Sequence, residues 1–328
     1  VAQGSAEVMR TQMGWTPDRD AFVVGDIEIN KKGKESSSPT SPLCKGIAKH
    51  LSRSGDYKLW KEAANKLNTH GLEVHAFVML TGLSSILMPY TSTSGVTLSL
   101  TGDTGAGKTG ALYASLSMWG NPKDMSVLDA TENGMTGRYL ALHNIPFGLD
   151  EVGNIHGRVL SQLIHKVSQG KAKIRMQASV NAERDHELSA ALIAIFTSNH
   201  SLYDKLSALK KDPNGEVARL IEFFIHKPKL IADKPIEGRA IFNTFITNHG
   251  WAGPEFIKEL FKHSDEDIEK RIDMWVNKFK KDFGDDTAFR FYENLVAVTM
   301  VAGEIAGEVD IVHIDLDRVY DKIVVLLL

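Results

Sequence analysis

Gly102-Asp103-Thr104-Gly105-Ala106-Gly107-Lys108-Thr109 is the stretch that decides how this chain folds. It fits G-x-x-x-x-G-K-[ST], and its flanks agree: Val96 to Leu100 reads as a strand before it, Gly110 to Trp119 as a helix after it. Strand, glycine-rich turn and helix together predict a loop that holds phosphate. The glycines let the backbone turn its N–H groups inward, and the following helix N-terminus favours an anion. Lys108 is expected to reach the β- and γ-phosphates, and the Thr109 hydroxyl to ligate Mg²⁺. Gly102, Asp103, Thr104, Gly105, Ala106, Gly107, Lys108, Thr109 and Gly110 are therefore the candidate nucleotide-binding residues, with Mg²⁺ expected beside the nucleotide.

Downstream, Ile145 to Leu149 is an apolar strand ending in Asp150-Glu151, about forty residues after Lys108. Two acids at a strand end suit the second half of such a site, Asp150 orienting the metal shell and Glu151 polarising the attacking water. Ser126 to Ala130 reads as a further strand, with Thr131 capping a helix through His143. Ala191 to Thr197 is a continuous apolar strand of the kind buried on both faces of a parallel sheet. It ends in Ser198-Asn199, which places the Asn199 amide to bond water or the γ-phosphate.

Between the acid pair and that strand, a helix from Arg158 to Ser168 leads into Gly170-Lys171-Ala172-Lys173-Ile174-Arg175, with Ala178 to Arg184 positioned to fold back as a hairpin. Lys166, Lys171, Lys173, Arg175 and Arg184 stand against Glu183 alone, a local net of +4 in a chain of net charge −3. Lys171, Lys173, Arg175 and Arg184 are the candidate nucleic-acid contacts, the rival being a solvated hairpin face. After the polar Lys210 to Gly215 loop, Arg219 precedes the apolar Leu220 to Ile225 strand, either as a finger into a neighbouring subunit's nucleotide or as a surface ion-pair partner. Arg290 opens a later helix and reads as an exposed helix charge rather than a lid arginine.

The remainder frames this core. In the leading segment, Ala21 to Val24 and Ile27 to Ile29 are expected to pair across Gly25-Asp26, and Lys31 to Pro42 reads as an exposed loop or linker. Leu59, Trp60, Ala63, Ala64 and Leu67 mark one helix face. The apolar Leu72 to Tyr90 stretch, interrupted by Glu73 and His75, predicts a buried helix or helix pair rather than a membrane span. His70 and His75 read as a turn residue and a core histidine. Beyond residue 235 the pattern is helical, with Ile268, Ile272, Trp275 and Phe279 on one stripe and Phe291, Leu295, Val298, Ala302 and Ile305 on the next. The closing Val324 to Leu328 run predicts a docked helix end or a buried truncation site. The expected divisions are 1–55 as a leading segment or linker, 56–94 as a helical collar, 95–232 as the ATPase core and 233–328 as a helical subdomain.

A 328-residue chain, 43% apolar, holds enough core for one large or two modest domains. Cys44, the one cysteine, excludes an internal disulfide framework and suits a reducing cytoplasm. Val1 in place of Met suggests a fragment of a longer protein.

Several short motifs in order, Trp60-Lys61-Glu62-Ala63, the glycine-rich loop, Ser117-Met118-Trp119-Gly120, Ala130-Thr131-Glu132-Asn133, Leu142-His143-Asn144, Leu149-Asp150-Glu151-Val152-Gly153, Gln169-Gly170-Lys171-Ala172, Thr197-Ser198-Asn199 and His249 to Ile257, resemble one group across roughly residues 55–305. The chain is similar to the phage- and plasmid-encoded replication ATPases grouped as domain of unknown function 927, often fused behind a primase. That resemblance implies an α/β P-loop NTPase fold akin to AAA+ and superfamily-3 ring helicases, a parallel sheet core with flanking helices and a C-terminal helical subdomain. It also implies a homo-oligomer, a hexamer with ATP between subunits and single-stranded DNA in its pore, working in bacterial cytoplasm beside a primase or polymerase. By position, Lys108 and Thr109 would hold phosphate and metal, Asp150 the metal shell, Glu151 would be the base, Asn199 the sensor, Arg219 the finger in trans, and the hairpin after Gly170 the pore element. The group often carries Thr or Ser where this chain has Gly110. The expected activity is an ATP-driven DNA helicase motor; the alternatives are a remodelling ATPase acting on protein and a nucleotide-switched ring or loader.

Overall fold

The computed structural model describes residues 9–127, 131–171, 188–208 and 218–328, with backbone alone for 176–177 and 182–183. At its centre lies a four-stranded parallel sheet of order β10-β5-β9-β6, formed by β5 (Val96–Gly102), β6 (Phe147–Leu149), β9 (Ile193–Thr197) and β10 (Leu220–Ile225). All seven residues of β5 are buried, as its unbroken Val-Thr-Leu-Ser-Leu run demands of a strand covered on both faces. Parallel pairing puts the carboxyl ends of β5, β6 and β9 on one edge, so the loop after Gly102, Asp150-Glu151 and Ser198-Asn199 emerge together. Beyond β6 the expected further strand is a single parallel bridge, Val127 to Leu149; residues 128–130 lie outside the described residues.

The helix Glu73–Ser84 is buried along its whole length, which explains why its apolar residues follow no stripe. A 3₁₀ turn, Ser85–Tyr90, ends it at Pro89. Five helices close the chain: Pro235–Thr247, Ala252–Leu260, Asp265–Phe283, Arg290–Glu308 and Leu316–Leu327. The second predicted stripe, Phe291 to Ile305, is buried as expected, while Trp275 keeps an edge exposed and donates its indole N–H to Glu304 at 2.8 Å. Among the described residues no helix is long and apolar enough to cross a membrane.

Three expectations are corrected. Lys31 to Pro42 is not a plain linker: Glu35–Ser37 (β4) completes a four-stranded antiparallel sheet with Gly14–Trp15 (β1), Ala21–Val24 (β2) and Ile27–Asn30 (β3). The predicted β2–β3 pair is its middle, and Phe22 stacks on Trp119 at 5.4 Å, so this segment belongs to the main core. Leu59 is 47% exposed, because the inward face of Tyr57–Lys66 is filled by Trp60, Ala63 and Ala64. At the C-terminus Ile323 and Val324 are buried but Val325 and Leu328 are exposed, so the apolar end is docked along one side only.

Candidate functional site

The loop from Gly102 to Gly110 is shaped by its glycines. Gly102, Gly105 and Gly107 take positive φ values, which side-chain-bearing residues resist. Its carbonyls are tied back: Lys108 Nζ donates to Gly102 O at 2.7 Å and Asp103 O at 2.9 Å, Ala106 O lies 2.8 Å from His75 Nε2, and Gly107 O accepts from Ala111 N at 2.9 Å. Burial pushes the Lys108 ammonium below its ordinary pKa, and the carboxylates of Asp103 and Asp150 oppose that shift. Among the described residues the Lys108 ammonium thus donates its hydrogen bonds to neutral carbonyls, which it can exchange for an anion.

Across the edge, Thr109 Oγ1 donates to Asp150 Oδ1 at 3.0 Å. Thr197, at the tip of β9, donates to the same carboxylate oxygen and accepts from Glu151 N at 3.0 Å. One buried hydroxyl therefore fixes both acids: it orients Asp150, itself 5% exposed, and holds the Glu151 backbone in the left-handed region at φ 56°. Glu151 is exposed and, with Asn199, faces the same cavity as the loop. The cavity measures about 390 Å³; its far wall is Lys227, Ile231, Pro235, Gly238, Arg239 and Phe242. Oxygen donors dominate where Thr109 meets Asp150, the donor set a hard cation such as Mg²⁺ takes.

Of the residues singled out from sequence, Gly102 through Gly110, Asp150, Glu151 and Asn199 come together here. Arg219 does not. It precedes β10, whose Leu220 pairs with Thr97 and Ile225 with Gly102, so it sits at the opposite end of the sheet, roughly 15–20 Å from the loop at the usual rise per strand residue. Arg290 lies over the ring of Phe291 at 5.0 Å and takes no part in the cavity wall. Lys171 is exposed and bridges Ser189, and between them the strands β7 (Met176–Gln177) and β8 (Ala182–Glu183) pair antiparallel as a hairpin. Lys173, Arg175 and Arg184 lie outside the described residues, as does the Lys210 to Gly215 loop. Lys166 leaves the basic patch: it is largely buried and paired with Glu132 at 2.8 Å.

Sequence reading missed Thr197, Lys227, Arg239 and Phe242 as parts of this site. Thr197 carried a usable signal, since registering two adjacent parallel strands by their apolar runs sets Phe196 beside Leu149 and so Thr197 beside Asp150. The other three come from a wall that only the tertiary fold supplies.

A family profile described as "Domain of unknown function (DUF927)" matches residues 2–186. No curated protein matches the chain. Among solved structures, a chain titled "SCCmec type IV Cch - active helicase" superposes with a TM-score of 0.76 at 18% identity, covering 96% of this chain and 58% of that one. At that similarity the two share a fold, and this chain spans little over half the length of the helicase. The apo A form of the NrS-1 C-terminal region covers 96% of this chain and 76% of its own at 12% identity, with a TM-score of 0.37. The JCV helicase bound to an inhibitor covers 74% and 65% at 10% identity, with a TM-score of 0.33. Neither of these looser superpositions bears on the fold.

Proposed function

We propose, from the premise that this chain belongs to the DUF927 family, that it is an ATP-hydrolysing DNA helicase motor of a phage or mobile element, acting as a homo-oligomeric ring, a hexamer, on single-stranded DNA. The observation that carries this reading is the Thr109–Asp150–Thr197–Glu151 chain of contacts, whose two ends, Thr109 and Glu151, line one cavity with the glycine-rich loop. It is the arrangement that phosphoryl transfer to water requires, a phosphate cradle and a cation site beside a base.

The loop N–H groups and Lys108 would take the phosphates, Lys108 leaving the carbonyls of Gly102 and Asp103 for the β- and γ-oxygens. Thr109 and Asp150 would hold Mg²⁺, which when bound neutralises charge on the phosphate oxygens. Glu151 would draw the proton from the attacking water as its oxygen adds to the γ-phosphorus and the bond to the β,γ-bridging oxygen breaks, ADP leaving with that electron pair, while Asn199 orients that water or the γ-phosphate. Arg239 and Lys227, on the far wall, add positive charge to the same cavity. Arg219, too distant to serve its own loop, fits the role of a finger supplied to a neighbour. Lys171 and the hairpin it opens would grip the DNA backbone, with Lys173, Arg175 and Arg184 as further contacts. Phosphate contacts of this kind make binding tolerant of sequence and sensitive to salt. A primase or polymerase in the same chain or complex is the expected partner, and the bacterial cytoplasm the expected setting.

The test is ATP turnover by the purified chain at low salt, with and without single-stranded DNA, beside Lys108→Ala and Glu151→Gln. Turnover stimulated by DNA and reduced at least about 100-fold in Glu151→Gln, with nucleotide still bound, supports the motor. Turnover indifferent to DNA that the chain does not bind refutes the helicase assignment.

A further inference from the structure

Against the loop, beside Gly107 and Phe242, stands His75. It belongs to the wholly buried Glu73–Ser84 helix, has no solvent exposure, and its Nε2 lies 2.8 Å from Ala106 O. A carbonyl only accepts, so Nε2 carries the proton and donates. Burial keeps the ring neutral, with a pKa lowered to about 4. Among the described residues Nδ1, the bare nitrogen of that tautomer, has no hydrogen-bond partner. The histidine therefore spends its one N–H on the loop and leaves its other nitrogen buried and unsatisfied, an arrangement that core packing does not require.

The consequence lies in the peptide that His75 holds. No described peptide bond is cis, so the Ala106 carbonyl and the Gly107 N–H point in opposite directions. Fixing the carbonyl toward His75 turns the Gly107 N–H away from it, across the loop. Gly107 has φ 89°, and a Cβ there would stand 2.9 Å from His75 Nε2, so only glycine lets the imidazole approach this closely. Phe242 closes the other side, its ring 6.0 Å from that of His75, which keeps water from competing for the bond.

We infer that His75 is a positioning residue of the nucleotide site: through its hydrogen bond to Ala106 O it locks the Ala106–Gly107 peptide so that the Gly107 N–H faces the cavity and donates to a phosphate oxygen. Without the lock this peptide is free to rotate, because glycine tolerates the alternative, and the bound phosphate loses an oriented donor. The inference rests on the loop being the phosphate site proposed above.

The experiment compares equilibrium binding of MgADP to the full chain, wild type against His75→Phe and His75→Gln. Phenylalanine fills the space without a donor; glutamine restores an N–H at similar reach. The expected result is affinity at least about tenfold weaker in His75→Phe, the scale of a hydrogen bond to a charged group, with His75→Gln within about threefold of wild type. Unchanged binding in His75→Phe, or loss in both variants alike, overturns the lock, since a packing role would not distinguish them in this way. A second measurement needs no variant: ¹⁵N NMR of the imidazole in the wild-type chain should show the neutral form protonated on Nε2, and the Nδ1–H tautomer would equally overturn it. If wild type binds no MgADP, the proposed function fails, while the imidazole spectrum still decides whether the hydrogen bond exists.

Discussion

Gly110 has no room for a side chain. A Cβ at this position would stand 2.4 Å from the Phe242 ring, well inside van der Waals contact, so the aromatic side chain occupies the space that any larger residue would need. Phe242 in turn lines the cavity, which makes the pair a joint between the loop helix and the Pro235–Thr247 helix. Gly110→Thr is expected to destabilise the chain by about 1–3 kcal/mol through overpacking. Adding Phe242→Ala should recover part of that loss, so thermal unfolding of the two single variants and the double variant should give a non-additive cycle. Strict additivity would show that the two positions do not compete for space. The same residue scale shows what sequence could and could not convey. Lys108, Thr109, Asp150 and Glu151 were legible because each sits at a strand end or in a motif whose spacing is fixed by backbone geometry. Thr197 and His75 read from sequence as a strand end and a core histidine, because their chemistry depends on which atom of a distant segment they meet. Lys227 and Arg239 have no local signature at all.

At the scale of elements, the leading antiparallel sheet was only half visible. The β2–β3 hairpin follows from two short runs rich in apolar residues about Gly25-Asp26, whereas β4 is three polar residues, Glu35-Ser36-Ser37, with nothing apolar to mark it. Besides its ladder with β3, β4 is held by a nonlocal electrostatic cluster: Glu35 accepts two hydrogen bonds from the Arg53 guanidinium and pairs with Lys258 at 3.0 Å. Arg53 foremost, and then Lys258, hold the Glu35 carboxyl down at about 2, against an ordinary value of 4.5. The sign follows from linkage. The folded state keeps Glu35 ionised where the unfolded chain has begun to bind a proton, so this contribution is complete above about pH 4.5 and is lost as pH falls toward 2. Glu35→Gln should lower stability at neutral pH and flatten the acid limb of the stability profile between those values. Denaturant unfolding at pH 7, 4.5 and 3 measures it, and a variant that runs parallel to wild type at all three would remove Glu35 from the account. Helices are easier to read than this sheet, because an amphipathic stripe such as Ile268, Ile272 and Phe279 in the Asp265–Phe283 helix declares its buried face in the sequence itself.

For the whole molecule, the parallel sheet imposes a polarity. The loop, Asp150, Glu151 and Asn199 all leave its carboxyl edge, while Arg219 enters at the amino edge one strand length away. A subunit built this way presents half of the proposed site at one end of the sheet and a guanidinium at the other, and no side-chain motion closes roughly 15–20 Å within one chain. Head-to-tail association, the kind that closes rings, is the assembly in which one copy's Arg219 can meet another copy's loop. Mixing subunits turns this geometry into a measurement. Lys108→Ala subunits lack the phosphate lysine and Arg219→Ala subunits lack the finger, so each pure preparation should be nearly inactive. In a random equal mixture, a site is intact when an Arg219→Ala subunit supplies the loop and a Lys108→Ala neighbour supplies the arginine, which is about a quarter of all interfaces in a heterologous ring. ATP turnover recovering toward that fraction would place Arg219 in trans. Turnover no higher than the two pure preparations would exclude the finger role and confine Arg219 to its own chain, where the register already keeps it from the loop.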